Sequence, residues 1–313
     1  MSASTTLDIP IAVVSGPTGV GKTAVALEFA RQLNGELIGA DSVQVYRGFD
    51  IGASKPTAAE LGGIAHHLID VRNPDEPLDA ASYAALADAA IADVHSRGSV
   101  PIVVGGTGLW LRALLRGLVS VPKVDAQLRA SLEAEWDREG ALAMHVRLAE
   151  VDPRSAQRIH VNDKLRVVRA LEVYSQLGRP LGDLRDEHAL GAPRYRDWTL
   201  FVDLPRAQHA ERVRARTRSM LEQGLIDEVR AIVARYGPDL RVLQSVGYKQ
   251  ALDHVRLGVP LDQTELDIGR ATLLYARRQR TWWNNDRSVR LRATPAEALT
   301  DAILKQLAAH TAR

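Results

Sequence analysis

A glycine-rich stretch near the start of the chain, Gly16-Pro17-Thr18-Gly19-Val20-Gly21-Lys22-Thr23, constrains the fold more than any other feature. It has the spacing G-x-x-x-x-G-K-[ST] and lies between an apolar run at 11–15, which reads as a buried strand, and a helical pattern over 22–33. In that setting the glycines let the backbone wrap a phosphate, so that successive N–H groups and the helix N-terminus point at it. Lys22 adds a cation, and the Thr23 hydroxyl is placed to ligate Mg2+. A plain glycine-rich turn is the competing reading, and the flanking strand and helix weigh against it. The stretch therefore predicts a di- or triphosphate site on a parallel α/β sheet.

The rest of the N-terminal third supports that sheet. Strands are expected at 36–40, 67–71 and 100–104, with helices at 80–97 and 107–116, the alternation of a parallel sheet with crossover helices. From about 117 to 197 the strands stop and helical periodicity alone remains, around 128–136, 141–150 and 163–177. A further strand is expected at 198–204, so the sheet resumes after an excursion of about 80 residues. The fold class is then α/β: a P-loop NTPase-like parallel sheet flanked by helices, with an all-helical insertion lobe. The expected division is 1–117 for the first part of the catalytic core, 118–197 for the insertion and 198–313 for the completed core with Arg-rich helices. Beyond 205 the pattern gives helices to Gly224, to Tyr236 and over 262–284, and an amphipathic helix after Pro295.

Composition narrows the chemistry. With no cysteine there is no disulfide framework, no thiolate metal site and no cysteine nucleophile, which fits a reducing compartment. The first ten residues lack a basic start followed by a long apolar stretch, and no later run approaches a membrane span, so a cytoplasmic protein is expected. The net charge of +2 over 313 residues conceals a gradient. Residues 1–120 carry 8 basic and 12 acidic side chains, residues 121–200 carry 13 of each, and residues 201–313 carry 19 basic and 13 acidic. Arginine supplies 34 of the 40 cations and is the better fork for phosphate, although codon bias explains the ratio equally well.

Two further motifs sit at strand ends. Asp41-Ser42-Val43-Gln44 follows the second strand and points into the same crevice as Lys22. On its residues alone Asp41 is open to three readings: a magnesium ligand, a general base, or a cap for the following turn. The strand at 100–104 runs into Gly105-Gly106-Thr107-Gly108 without the acidic residue an ordinary P-loop NTPase would carry there. This turn offers N–H groups and one hydroxyl at the carboxyl edge of the sheet, where open α/β folds bind ligands. His66 and His67 are adjacent on a strand, so they point to opposite faces and read as packing or loop-anchoring residues.

Together, GPTGVGKT, ADSVQVYRGFDIGASKP, HHLIDV, PIVVGGTGLWLRALL, RIHVNDKLRVVRALEVY, MLEQGLIDEV, SVGYKQ and ARRQRTWW resemble, in order and spacing, the tRNA dimethylallyltransferases, over about residues 9–285. The resemblance implies that the P-loop holds the pyrophosphate of dimethylallyl diphosphate, with Mg2+ as cofactor, and that no nucleoside triphosphate is hydrolysed. It implies an acceptor at N6 of adenosine 37, within an A-A-A run in tRNAs that read codons beginning with U. Asp41 matches the base that takes the N6 proton, Thr107 a residue near the acceptor, and Arg216 an arginine placed toward the diphosphate. Asp41, Ser42, Val43 and Gln44 match the adenine pocket.

The insertion would meet the tRNA anticodon stem-loop, with Arg129, Arg166 and Arg169 matching tRNA-contacting positions. Gln244, Ser245, Val246, Gly247, Tyr248 and Lys249 match a second contacting segment, and Arg277, Arg278 and Gln279 a basic tract before the tryptophans. No membrane and no obligatory protein partner is expected, and the chain is expected to act as a monomer. Three positions depart from the family's usual residues: Lys164-Leu165 stands for Pro-Gln, Trp110 for Tyr, and Arg218 for an acid. An adenylate isopentenyltransferase would share the P-loop and the acid, but a free nucleotide leaves the insertion without a role. An ATP-dependent small-molecule kinase would need an acid after residue 104, and a silent RNA-binding module would not need Lys22 and Asp41 in one crevice.

Overall fold

The computed structural model describes residues 7–119, 121–189, 193–284, 286 and 288–312. The chain divides into two compact units, Met1–Leu115 with Pro193–Arg313, and Arg116–Ala192. The first begins with β1 (Leu7–Ser15), α1 (Lys22–Leu33), β2 (Gly35–Gly39), α2 (Ala58–Leu61), β3 (His66–His67), α3 (Ala80–Ser96), β4 (Val100–Gly105) and α4 (Gly108–Arg116). The second holds α5 (Ala126–Val151), α6 (Pro153–Arg158), α7 (Lys164–Leu177) and α8 (Leu181–Ala189). The first unit then resumes with β5 (Tyr195–Val202), α9 (Arg206–Glu222), α10 (Leu225–Tyr236), a 3-10 turn (Arg241–Gln244), α11 (Tyr248–Leu257), α12 (Leu261–Asn284), β6 (Val289–Ala293), α13 (Pro295–Ala298) and α14 (Asp301–Thr311).

All six strands are parallel, in the order β3-β2-β4-β1-β5-β6. Because side chains alternate along a strand, β1 feeds two cores. Ile11 and Val13 enter a cluster with Ile38, Val103 and Phe201, while Ala12 and Val14 enter the opposite one with Leu37, Ile102 and Leu200. A strand buried on both faces has no polar positions to give away, which is why 11–15 is a continuous apolar run. Register sets Ser15 beside Gly105 and Phe201, so the loops after β1, β4 and β5 leave the sheet at one edge.

The expected sheet is therefore present, with several differences in its elements. The strand expected at 67–71 is only His66–His67, because Leu68 (φ 63°) and Asp70 (φ 55°) adopt left-handed backbone that cannot continue a ladder. β6 was not foreseen; its alternating Arg290 and Arg292 are exposed, as suits an edge strand. The tail after Pro295 is two short helices, interrupted at Leu299 and Thr300, where Thr300 begins α14.

The helical unit has its own core of Leu132, Met144, Leu148, Val167, Val168 and Leu171. Gly140 (φ 84°, ψ 168°) breaks α5, so the two helical patterns at 128–136 and 141–150 are segments of one kinked element. Asp163 caps α7 by accepting from the Arg166 N–H at 3.2 Å, and Gly178 closes it in the left-handed conformation. The unit ends at Ala192, five residues before the boundary read at 197, because β5 already starts at Tyr195 and belongs to the sheet.

Candidate active site

A cavity of about 700 Å³ opens at the strand edge, lined by Thr18, Gly19, Gly21, Lys22 and Thr23 of the loop after β1. Of the remaining loop residues, Val20 is fully buried in the core, and the Pro17 carbonyl accepts from Lys22 Nζ at 2.8 Å. A Cβ on Gly16, whose φ is 149°, would strike the Val202 carbonyl, so the loop can lie this close to β5 only with glycine there.

Asp41, Ser42, Val43 and Gln44 face the same cavity after β2. Asp41 Oδ1 accepts from the Val43 N–H at 2.9 Å and the Gln44 N–H at 3.3 Å, whereas Oδ2 takes no part in these bonds. The carboxylate is thus a turn cap on one oxygen and a cavity group on the other. Gln44 is fixed in turn, its Nε2 donating to the carbonyls of Ala53 and Ser54 at 3.0 and 3.3 Å. That loop is held by Glu228, which accepts from the N–H groups of Asp50, Ile51 and Gly52 at 3.0, 2.7 and 3.2 Å and from the Tyr248 hydroxyl at 2.7 Å.

Thr107 stands behind this wall and does not line the cavity. Its Oγ1 accepts from the Ser42 N–H at 3.1 Å, and its own N–H donates to the Ala40 carbonyl at 3.2 Å, so it sews the turn after β4 to the turn after β2. Gly105 is what allows the approach, since a Cβ there would collide with the same Ala40 carbonyl.

Electrostatically the cavity gathers two half-buried cations near one carboxylate. Burial pushes the Lys22 ammonium down from 10.5 to about 8, with Asp41 opposing that fall and Arg216 adding to it. Burial likewise lowers the pKa of Arg216, against the attraction of Asp41 and with the help of Arg212. A site that destabilises its own cations gains most when an anion arrives. Met220, Ile268 and Val246 add apolar surface to the lining, as does the ring of Tyr275, whose phenol burial raises to about 12, Asp41 adding to the rise. His66 also lines the wall; both ring nitrogens are buried without a partner, and burial, then the charge of His67, lowers its pKa to about 4. His67, by contrast, is bonded to Glu36 at 2.7 Å.

Among the described residues no group of three or more His, Asp or Glu side chains could hold a metal. The hard-oxygen donors in this part of the lining include the Thr23 hydroxyl and the Asp41 carboxylate. So sparse a set suits Mg2+, which keeps several waters and is bound by few protein groups together with substrate phosphates. The residues present fit the ion in that form.

Other expected contacts fall in different surroundings. Gln244, Ser245, Val246, Gly247 and Tyr248 line the cavity, while Lys249 is exposed outside it. Arg277 and Arg278 are exposed, and Arg278 reaches the cavity wall. Gln279, expected beside them as a tRNA contact, is buried instead: its Oε1 accepts from the Thr18 N–H at 2.8 Å and its Nε2 donates to the Gly106 carbonyl at 2.9 Å. Both ends of the amide are occupied, and the residue also belongs to the cavity lining.

In the helical unit, Arg129 and Arg169 converge on Glu172, which is 0% exposed, at 2.6 and 2.9 Å. These two arginines neutralise a buried carboxylate and are not free surface charges. Arg166 is 64% exposed and pairs with Asp163 at 3.1 Å. The departures from the usual family residues are accommodated locally: Trp110 stacks on Tyr83 at 4.3 Å, Lys164 pairs with Asp137 at 2.5 Å, and Arg218 pairs with Glu265 at 3.4 Å.

A parallel sheet with a glycine-rich loop at its edge, opening on a cavity lined by cations, a carboxylate and apolar side chains, is the arrangement of a P-loop-type α/β protein. The family model for IPP transferase matches residues 44–286. The chain is 47% identical over 298 residues to the tRNA dimethylallyltransferase of Anaeromyxobacter dehalogenans strain 2CP-C, covering 95% of this chain and 99% of that one. Against the enzyme of the same name from Symbiobacterium thermophilum it is 42% identical, covering 90% and 88%. Among solved structures it is similar to the full-length tRNA isopentenylpyrophosphate transferase from Bacillus halodurans, at TM-score 0.68 and 34% identity, covering 96% and 94%. It is also similar to a eukaryotic dimethylallyltransferase acting on tRNA, at TM-score 0.80 and 27% identity, covering 96% of this chain and 78% of that one. The chain belongs to the IPP transferase family.

Proposed function

We propose that this chain transfers the dimethylallyl group of dimethylallyl diphosphate to N6 of adenosine 37 in tRNAs reading codons that begin with U, releasing diphosphate. The observation that carries this reading is the convergence of Lys22, Arg216 and Asp41 on one cavity whose lining also includes the apolar Met220 and Ile268. In the reaction the N6 lone pair forms a bond to the allylic carbon as its bond to the diphosphate oxygen breaks, and the N6 proton passes to Asp41. Lys22, Arg216 and the loop N–H groups hold the oxygens that gain charge as the diphosphate leaves. Thr23 would hold Mg2+ at this end of the cavity, where the ion would supply further charge neutralisation. A stacked adenine cannot enter such a cavity, so the base must be flipped out, with Gln44 and the loop that Thr107 supports available to read its edge.

The helical unit 116–192 is assigned to the tRNA anticodon stem-loop, with the exposed Arg166 as a phosphate contact, and the exposed Lys249, Arg277 and Arg278 to further phosphate contacts. The chain is read as a monomer working in the cytoplasm; among its described residues no helix is long and apolar enough to cross a membrane. Purified protein, unmodified tRNA bearing A36-A37-A38, labelled dimethylallyl diphosphate and Mg2+ are expected to suffice for N6 alkylation. Label appearing on free AMP and never on tRNA would overturn this reading in favour of an adenylate isopentenyltransferase.

A further inference from the structure

The glycine-rich loop is held by side chains packed against it: Gln279, which reaches the cavity wall, and His209, Arg280 and Asp203, which lie outside the cavity lining. Both backbone polar groups of Thr18 are taken: its N–H donates to Gln279 Oε1 at 2.8 Å, and its carbonyl accepts from His209 Nε2 at 2.8 Å. Behind His209 stands Arg280, whose Nη2 donates to His209 Nδ1 at 3.0 Å. Arg280 is itself fixed by Asp203, immediately after β5, through Nε at 2.9 Å and Nη2 at 2.7 Å. A guanidinium can only donate, so His209 Nδ1 must accept and Nε2 must carry the hydrogen given to Thr18. His209, Gln279 and Arg280 are 1%, 7% and 7% exposed, and the other end of the Gln279 amide reaches Gly106 of the turn after β4.

We infer that His209 and Gln279, backed by the Arg280–Asp203 pair, are positioning residues that clamp the Thr18 peptide and so preorganise the loop for diphosphate before any ligand arrives. The inference deepens the reading of this loop as the diphosphate site and rests on it. A loop with Gly16, Gly19 and Gly21 has unusual backbone freedom, and an anion that had to order it would bind more weakly by that entropy. The clamp removes the freedom in advance at the one non-glycine, non-proline residue before the anion nest. It also commits the Thr18 N–H to protein, which leaves the nest to the amides from Gly19 onward.

The test is calorimetric titration of inorganic pyrophosphate with MgCl2 into the full chain without tRNA, alongside KM values for both substrates. Gln279→Leu and His209→Leu are each expected to weaken pyrophosphate binding and raise KM for dimethylallyl diphosphate about tenfold, with KM for tRNA moving less than about threefold. His209→Gln, which keeps an acceptor for Arg280 and a donor for Thr18, should restore binding; a merely structural histidine would not be rescued in this way. If a leucine variant fails to fold, Gln279→Glu reports instead, since it keeps the acceptor for Thr18 but turns an oxygen toward the Gly106 carbonyl, and the same loss is expected. Pyrophosphate binding equal to wild type in these variants would overturn the clamp. So would a rise in KM for tRNA alone, which would return Gln279 to the tRNA surface. Failure of the wild-type chain to bind pyrophosphate would instead overturn the reading of the loop as a diphosphate site, and the clamp with it.

Discussion

Lys22→Met should stabilise the unliganded chain while destroying its hold on diphosphate. Burial lowers the Lys22 ammonium from 10.5 to about 8, opposed by Asp41 and reinforced by Arg216. At pH 7 the lysine is charged in both folded and unfolded chains, but the folded chain holds the proton less tightly, at a cost of about 3 kcal/mol. Replacing the amine with a thioether removes that cost and leaves the Pro17 carbonyl without its donor, a loss of about 1 kcal/mol. The net expectation is a gain of about 2 kcal/mol at pH 7. The sign with pH follows from the depressed folded value. Between about 8 and 10.5 the unfolded chain keeps a proton that the folded chain has released, so wild-type stability rises through that window and the advantage of Lys22→Met shrinks. Urea unfolding at pH 7, 8.5 and 10, followed by tryptophan fluorescence, measures the difference directly. In parallel, wild-type affinity for dimethylallyl diphosphate should fall about tenfold from pH 7 to pH 9, as the charged fraction falls from about nine-tenths to about one-tenth. A Lys22→Met chain no more stable than wild type at pH 7, or a gap that does not close as the pH rises, would refute this account of the site's charge.

Asp41→Ala should lose turnover by orders of magnitude while pyrophosphate binding persists; single-turnover alkylation near the wild-type rate would remove Asp41 as the base. Arg166→Ala should weaken tRNA binding and reduce the slope of log affinity against log salt by about 0.7 to 0.9, and an unchanged slope in a filter-binding titration would leave Arg166 without a phosphate. Glu172→Leu leaves Arg129 and Arg169 facing an apolar group in the helical unit's interior and should destabilise that unit by about 3 kcal/mol, read as earlier amide exchange in 126–177. Retained protection there would mean that solvent satisfies both arginines.

What was legible in the sequence is what local chemistry determines. The run 11–15 followed by the loop and helix carries its own evidence, because phosphate wrapping needs contiguous residues. β6 was not legible, since an edge strand needs no continuous apolar run and Val289–Ala293 reads as an arginine-rich tail. The burial of Gln279 escaped notice for a different reason. The preceding Arg277 and Arg278 drew the tract to the surface, yet Ala276, Gln279, Arg280 and Trp283 are all buried, at the i, i+3, i+4, i+7 spacing of a helix's inner face. The inward face was present in the periodicity and was overridden by composition. For His209 there was no local signal, because its partner Thr18 lies 191 residues away.

The excess of six positive charges beyond residue 200 takes on a different meaning once these side chains are placed. As a sum it reads as a surface for tRNA, yet the 19 cations behind it stand in quite different surroundings. Arg216 faces the cavity, Arg280 is spent on Asp203 and His209, and Arg218, Arg230 and Arg270 are balanced by Glu265, Asp227 and Asp267. Lys249, Arg277 and Arg278 are exposed, and among the cations of that segment these are the ones expected from the family resemblance to release counterions on RNA binding. Arg278 and the clamp residues Gln279 and Arg280 follow one another on α12, outward and then inward, so one helical turn serves the cavity wall and the P-loop together. Charge-neutral substitution of Arg277 or Arg278 should therefore lower tRNA affinity with little change in pyrophosphate binding, whereas Gln279, the very next residue, should do the reverse; net charge per segment cannot distinguish the two, and burial does.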